Sequence, residues 1–394
     1  MQQIQPLDLL TVTAARQRFD AALDRVGWAP KPEAVPVSVA LGRVTAAPVH
    51  ARRPVPHYPA AAVDGVAVRS GNSSGALRLC TEVYPVNTGH PVPTPFDTVV
   101  MKEELRWSPD GSLVYVDRPV QAGKHIRAIG SDAAEGQFLL PAGHRLRPVD
   151  LGALLSVGVT EVPVWRQPRV GFLPTGSELV EPGESHLRPG QVVESNSAMV
   201  LGEVTGWGGM PLRHPIVADD RCALRCAIKT LLDQVDLLLI GGGSSQGTED
   251  HTVHLLREMG VVLVHGVAMR PGKPVILALV EGKPVIGLPG YPGASWLAAR
   301  LFARPLLNRF QRQPLPEPER VTARLGAPVK SPRGLAHYLR VRLEPAPAEA
   351  RPTAHPFPAS TGSIGALISA DGLALIPPEV TELPAGALID VERI

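Results

Sequence analysis

The residues best equipped for chemistry lie in Gly241-Gly242-Gly243-Ser244-Ser245-Gln246-Gly247-Thr248-Glu249-Asp250. This stretch joins an apolar run, Val235 to Ile240, to a helical pattern beginning near Thr252. A strand that empties into a glycine-rich turn and then a helix suits phosphate. Glycine lets the backbone approach an anion, and a helix start presents unpaired N–H groups to it. Three more loops follow apolar strand-like runs: Pro174-Thr175-Gly176-Ser177-Glu178, Arg270-Pro271-Gly272-Lys273-Pro274, and Leu288-Pro289-Gly290-Tyr291-Pro292-Gly293-Ala294-Ser295. Together the four loops offer hydroxyls (Ser244, Ser245, Thr248, Ser295), positive charge (Arg270, Lys273) and carboxylates (Glu178, Glu249, Asp250). Cationic side chains hold phosphate or another oxyanion, and carboxylates hold a hard divalent cation. Each loop alone reads as an ordinary turn or solvated face; their recurrence at strand ends carries the argument. There is no G-x-x-x-x-G-K-[ST] and no G-x-G-x-x-G, which disfavours a Walker NTPase or an ordinary dehydrogenase. Serine-based hydrolysis has no obvious triad. His251 and His254 stand three apart without further ligands and read as a helix surface.

These loops need elements to position them. The spacing predicts a helix over 11–26, capped by Thr11 or Thr13, with Val12, Ala15, Phe19, Ala22, Leu23 and Val26 on one stripe. Asp64-Gly65 reads as a tight turn or bulge between β-prone flanks, opening a helix-poor span to about Leu140. Within that span lie Thr88-Gly89 and Asp132. A helix is expected over 148–157. From Arg169 onward strands alternate with helices, with Ser195-Asn196 and Asp219-Asp220 as helix starts. Glu281-Gly282-Lys283 reads as a hairpin turn. Alternation of this kind argues for an open, mostly parallel sheet covered on both faces, with ligands beyond the carboxyl ends of its strands. Pro314 to Pro318 is a linker, and 319–394 reads as a small all-β domain that includes a strand at Gly365-Leu367.

The bulk numbers agree. A chain of 394 residues, 44% hydrophobic and 19% charged, has material for about two to four domains. A net charge of +2 and 4% aromatics argue against a general nucleic-acid binder. The 3 cysteines, Cys80, Cys222 and Cys226, fit a reducing compartment; Cys222 and Cys226 read as small, half-buried helix residues. No export signal and no membrane span is visible, so the cytoplasm is the expected location.

The ordered set Asp64-Gly65-x-Ala67-Val68, Thr88-Gly89, Pro174-Thr175-Gly176-x-Glu178-Leu179, Ser195-Asn196, the glycine-rich turn ending at Asp250, Arg270-Pro271-Gly272-Lys273-Pro274 and Gly287-Leu288-Pro289-Gly290-x-Pro292-x-x-Ser295 resembles the molybdopterin molybdenumtransferases, the MoeA and gephyrin E-domain family. The resemblance spans essentially the whole chain. It implies a multi-domain α/β plus β fold: a central, mostly parallel MoeA/MogA-like sheet domain (167–313), an inserted β-rich module (51–133), an elongated N-terminal segment (1–50 and 134–166) and a C-terminal small β-barrel domain (314–394).

It also implies an activity: insertion of molybdate into adenylated molybdopterin with release of AMP, assisted by Mg²⁺, in a cytoplasmic homodimer. Contact with the molybdopterin adenylyltransferase is a further implied partnership, and neither nucleic acid nor membrane is. By the same resemblance Asp64, Asp132 and Asp250 are catalytic, and Asp250, Glu178 and Asp64 hold the metal. Thr88, Thr175, Glu178, Gly242, Gly243, Ser244, Ser245, Gly247, Arg270, Lys273, Pro289, Gly290, Ser295, Arg340 and Ser363 bind substrate. Asp64 and Thr88 complete the site of a partner subunit. The chain departs from the family pattern at Ala61-Ala62-Val63 (commonly Ser-Ala-Met), at Glu194 (commonly Asp), at Ser244-Ser245-Gln246, at Arg270 (commonly Lys) and at Tyr291 (commonly Asn). Ser244-Ser245 and Pro289-Gly290-Tyr291-Pro292 resemble a second-copy subgroup, which makes tungstate the alternative oxyanion. Further alternatives are a non-catalytic molybdopterin- or cofactor-binding protein and an enzyme that adenylates molybdopterin.

Overall fold

A computed structural model describes residues 9–242, 251–347, 351–357 and 364–394. The chain forms two compact units, Pro32–Trp165 and the combination of Met1–Lys31 with Arg166–Ile394.

Helix α1 (Val12–Arg25) starts where the Thr11 hydroxyl accepts the Ala14 N–H at 3.1 Å. This is the cap expected of a threonine before an apolar stripe. Its Ala15, Phe19, Ala22 and Leu23 are buried in the second unit's main core.

The unit Pro32–Trp165 is built from short strands. β1 (Pro32–Pro36) pairs with a later strand of the same unit, and β2 (Ala60–Ala61) leads into β3 (Gly65–Val68). β3 is the middle strand between β4 (Val83–Val86) and β5 (Thr98–Met101), antiparallel to both. Gly65 is therefore no turn residue. A Cβ there would stand 1.9 Å from the Val100 carbonyl oxygen, so only glycine lets the neighbouring backbone come this close. β6 (Ile126–Arg127) pairs with β2, and Gly75–Arg78, Leu113–Val116 and Leu105–Trp107 form another three-stranded sheet. No α-helix occurs between 64 and 140, as expected.

Helix α2 (Pro148–Ser156) opens on a buried carboxylate. Asp150 accepts the Arg147 backbone N–H at 2.8 Å, pairs with the Arg147 guanidinium at 2.9 Å and meets His144 Nε2 at 2.7 Å. Hydrogen bonds from Arg147, ahead of those from His144, hold its carboxyl well below the ordinary aspartate value of 3.8, against the opposing effect of burial. A carboxyl depressed in the folded state stabilises above its unfolded value, and that stability is lost as pH falls. Asp150→Asn is expected to cost about 1–2 kcal/mol at pH 7, because Arg147 is largely exposed and screened. The cost should shrink as pH drops below the ordinary value of 3.8. Urea melts of both proteins at pH 7 and pH 3 check this; an equal difference at both would exclude the linkage.

β7 (Glu161–Trp165) closes the first unit against β1. The second unit resumes with β8 (Arg169–Pro174), followed by the two-stranded parallel pair β9 (Leu179–Val180) and β10 (Val192–Val193). Then come α3 (Asn196–Gly206), β11 (Met210–Arg213), α4 (Arg221–Leu232), β12 (Leu237–Gly241), α5 (His251–Met259), β13 (Gly260–His265) and β14 (Met269–Arg270). β15 (Ile276–Val280) and β16 (Lys283–Leu288) form the expected hairpin. Its turn carries Glu281 at φ 52° and Gly282 at φ 73°.

The six-stranded sheet runs β11-β8-β12-β16-β15-β13, and only β15 opposes the rest. Side chains of β12 alternate by the strand period. Leu237 and Leu239 enter the core under α1 and α3, whereas Leu238 and Ile240 enter the core under α4 and α5. Burial on both faces explains the unbroken apolar run, each leucine contributing about 1.5–3 kcal/mol.

Helix α6 (Pro292–Ala298) continues through a π segment, Ala299–Ala303, into α7 (Arg304–Phe310). The last part is a closed five-stranded barrel. β17 (Arg320–Leu325), β18 (Ala336–Glu344), β19 (Thr353–Pro356), β20 (Gly372–Ile376) and β21 (Leu388–Arg393) pair in the circular order β18-β19-β17-β21-β20-β18. Gly365-Leu367 lies in a short helix, Ile364–Ile368, and not in a strand. Cys222 and Cys226 are exposed on α4, contrary to the half-buried reading.

Candidate functional site

Because β8, β12, β16 and β13 are parallel, their carboxyl ends share one edge of the sheet. The chain leaves β8 toward β11 on one side and leaves β12 toward the other strands on the opposite side. Such a switch point opens a crevice between the two carboxyl ends. The loops that follow are pinned to one another there. Thr175 donates its N–H (2.9 Å) and its hydroxyl (3.2 Å) to the Gly241 carbonyl, and Gly242 donates its N–H to Leu288 O at 3.2 Å. Gly242 has φ +100°, and a Cβ on it would lie 2.5 Å from Thr175 O. Thr175 is buried with its hydroxyl spent on backbone.

Glu178 is exposed at this edge. Its carboxylate lies over Gly176, where a Cβ would meet Oε2 at 2.5 Å. Asp219 secures the turn, accepting Ser177 N–H at 3.0 Å and donating its own N–H to Ser177 Oγ at 3.1 Å.

The loop after β13 carries Arg270, partly buried, and Lys273, exposed. β14 within that loop pairs in parallel with barrel strand β18, which sets Arg270 beside His337. Burial, and then the Arg270 charge, lower the His337 pKa. Three residues along β18, Arg340 is buried, and desolvation lowers its pKa. Pro289 is buried and Gly290 exposed after β16. Asn196 donates its side-chain amide to Gly290 O at 2.8 Å. Ser295 donates its N–H to Tyr291 O at 2.9 Å; its hydroxyl is fully buried and has no hydrogen-bond partner among the described residues. Gly243, Ser244, Ser245, Gly247, Asp250 and Ser363 lie outside the described residues.

Helix α3 begins at Asn196, as expected from Ser195-Asn196, but its cap differs. Ser195 makes no side-chain cap bond. Glu194, buried, does the capping: it accepts Ser197 N–H at 2.8 Å and also takes the Ser197 hydroxyl.

In the unit Pro32–Trp165, Asp64 and Thr88 meet. Asp64 Oδ1 accepts the Thr88 N–H at 2.8 Å and the Thr88 hydroxyl at 2.9 Å, while Oδ2 faces Lys102 Nζ at 3.3 Å. These bonds, the Thr88 N–H foremost, lower the Asp64 pKa and favour its ionised form. The sequence reading passed over Lys102, which sits one residue beyond β5 and reads there as part of a strand. Asp132, exposed, pairs with Arg127.

Glu178 and Asp64 thus stand in separate units. Among the described residues no group of three or more His, Cys, Asp or Glu forms a metal-holding cluster. A single exposed carboxylate such as Glu178 fits Mg²⁺, which retains waters and takes other oxygens from substrate phosphates.

Comparison with known proteins agrees with this architecture. Residues 10–158 match the MoeA N-terminal region (domain I and II), residues 171–309 match a "Probable molybdopterin binding domain", and residues 322–394 match the MoeA C-terminal region (domain IV). A Methanocaldococcus jannaschii protein with a molybdopterin biosynthesis designation is 34% identical over 383 residues, covering 92% of each chain. Molybdopterin molybdenumtransferase 2 of Mycobacterium tuberculosis is 31% identical over 390 residues, covering 92% of this chain and 95% of its own. The crystal structure of a MoeA protein of molybdopterin biosynthesis from Pyrococcus horikosii superposes with a TM-score of 0.78 at 29% identity, covering 98% and 99% of the two chains. The chain belongs to the MoeA family, the molybdopterin molybdenumtransferases. Among the described residues no helix is long and apolar enough to cross a membrane.

Proposed function

We propose that this chain inserts molybdate into adenylated molybdopterin with release of AMP, the last step of molybdenum cofactor biosynthesis. The observation that supports this best is the convergence of the Thr175–Glu178, Gly242, Arg270–Lys273 and Pro289–Tyr291 loops on one sheet edge. That edge joins cationic side chains to exposed backbone and a carboxylate, the combination a pyrophosphate-bearing substrate and a tetrahedral oxyanion require. Lys273 supplies a point charge and Arg270 a planar fork, so Arg270 is the more selective of the two for oxygen geometry. Arg340 and Ser363 of the C-terminal domain, with Ser295, complete the oxyanion pocket in this reading. Bound Mg²⁺ would offset phosphate charge and polarise the bond to be cleaved, held by Glu178 and Asp250 with Asp64.

The protein acts as a cytoplasmic homodimer in this reading. The residues 51–133 of one subunit face the α/β domain 167–313 of the other, so that Asp64, Thr88 and Asp132 serve the partner's crevice. Adenylated molybdopterin arrives from the molybdopterin adenylyltransferase.

The test is AMP release from adenylated molybdopterin with Mg²⁺, run with molybdate and with tungstate. Asp250→Ala and Asp64→Ala are each expected to lower turnover by about 100-fold or more with a cooperative thermal transition retained, Asp64→Ala melting somewhat lower because the two Thr88 bonds to its carboxylate are lost. Mixed dimers of the two variants should recover one working site. A wild-type protein that binds adenylated molybdopterin without releasing AMP would replace the transferase with a binding protein. Failure of the mixed dimers to recover would reject the shared crevice.

A further inference from the structure

Arg213 is the last residue of β11, at the same carboxyl edge as the candidate site. A cationic side chain there is placed to receive an anion, yet its donors are turned toward the protein. Nε donates to Ser197 Oγ at 2.9 Å. Nη1 and Nη2 form a fork on Glu181 at 3.2 and 2.7 Å, and Nη2 also reaches Glu194 Oε2 at 3.3 Å. An arginine has five N–H donors, so four contacts leave little to offer a ligand.

The partners define what this accomplishes. Glu181 follows β9 directly, and Glu194 follows β10 directly. Arg213 therefore ties together the carboxyl ends of β9, β10 and β11. Glu178 stands just before β9. Asn196, two residues beyond Glu194, holds the Gly290 carbonyl. Glu194 is 3% exposed, and a carboxylate buried to that degree is costly unless paired and hydrogen-bonded. The Arg213 charge and the two Ser197 bonds satisfy it.

We propose that Arg213 is a positioning residue of the candidate site, setting the Glu178 turn and Asn196 against the Pro289–Tyr291 loop through Glu181, Glu194 and Ser197. It works by geometry: only a planar fork reaches all three partners, whereas lysine keeps the charge and reaches one. This rests on the reading that this edge of the sheet binds substrate.

The experiment compares the full-length wild type with Arg213→Lys, with Glu181→Gln, which leaves the buried pair intact, and with Arg213→Lys in an Asn196→Ala background. The first readout is hydrogen exchange of the Asn196 side-chain amide by ¹⁵N NMR. It should quicken by about tenfold or more in Arg213→Lys, because the bond to Gly290 O loses its support. A smaller increase is expected in Glu181→Gln. The second readout is AMP release. KM for adenylated molybdopterin should rise about tenfold in Arg213→Lys, and that change should vanish in the Asn196→Ala background, as for residues acting as one unit. Unchanged amide exchange, or an equal KM effect in both backgrounds, would overturn the proposal. If the wild type releases no AMP, the transferase reading fails and the exchange measurement still decides the role of Arg213.

Discussion

Substituting Gly242 by alanine is expected to lower AMP release by about 100-fold or more, since displacing catalytic loops by about 1 Å costs that much. Gly242 has φ +100°, a conformation that L side chains rarely adopt. Its added Cβ would stand 2.5 Å from Thr175 O and 3.1 Å from Thr175 Oγ1. The nearer atom is backbone, so relief requires moving the chain. The loops that must give are those whose hydrogen bonds, Thr175 N–H to Gly241 O and Gly242 N–H to Leu288 O, hold the ends of β8, β12 and β16 in register. The central strands below, β12, β15 and β16, are buried almost throughout and will not yield. Loss should therefore appear chiefly in turnover, with a stability cost of about 1–3 kcal/mol. Gly290 is the control: nothing lies within 4 Å of a Cβ there and its φ is not positive, so Gly290→Ala should unfold as the wild type does. Thermal melts together with AMP release check both variants. A Gly242→Ala protein with wild-type turnover would show that these loops tolerate displacement.

The second large effect is expected in the other unit. Gly65→Ala would place a Cβ 1.9 Å from Val100 O, 2.9 Å from Val100 C and 3.1 Å from Lys102 N. β3 lies between two partners, so it cannot shift away from β5 without pressing on β4. We expect a loss of about 3 kcal/mol or more, at the upper end for overpacking because the obstacle is backbone. The Lys102 N–H also donates to Asp64 O at 2.9 Å, so the same displacement disturbs the Asp64–Thr88–Lys102 cluster. Hydrogen exchange locates the damage. Amides of Val66 to Val68 should lose protection while those of Leu237 to Ile240 keep it. Equal protection in wild type and variant would contradict the contact. Gly71, where a Cβ meets nothing within 4 Å, is the matched control.

Gly65 shows how a local signal misleads. Asp64-Gly65 reads as a turn because glycine is enriched in turns, but the same residue is required where another strand's backbone comes too close for a side chain. Sequence cannot separate the two uses, since the neighbour at Val100 is supplied by pairing. Gly365-Leu367 reads as a strand and forms the helix Ile364–Ile368 for a related reason: five residues hold too little periodicity to choose. By contrast Asp220 was legible as a helix start. Its carboxylate accepts Ala223 N–H at 2.7 Å, three residues away, and the pattern that reveals it is equally local.

The alternation of strands and helices from Arg169 to Phe310, the both-face burial of the β12 run, a threonine cap at position 11 or 13, the helix start at Asp220 and the loops carrying Glu178, Gly242, Arg270 and Pro289 are legible in the sequence. All of these depend on residues within a turn or two of one another. Tertiary structure alone decided that those loops share one edge. It also decided that Thr175 spends its hydroxyl on backbone, that Glu194 and not Ser195 caps α3, and that Lys102 holds Asp64. Arg213 is the clearest case: its partners lie 16, 19 and 32 residues away, so no spacing announces them. Pairing of β9 with β10 brings Glu181 and Glu194 together, and packing sets the end of β11 beside them, where one guanidinium reaches three partners at once.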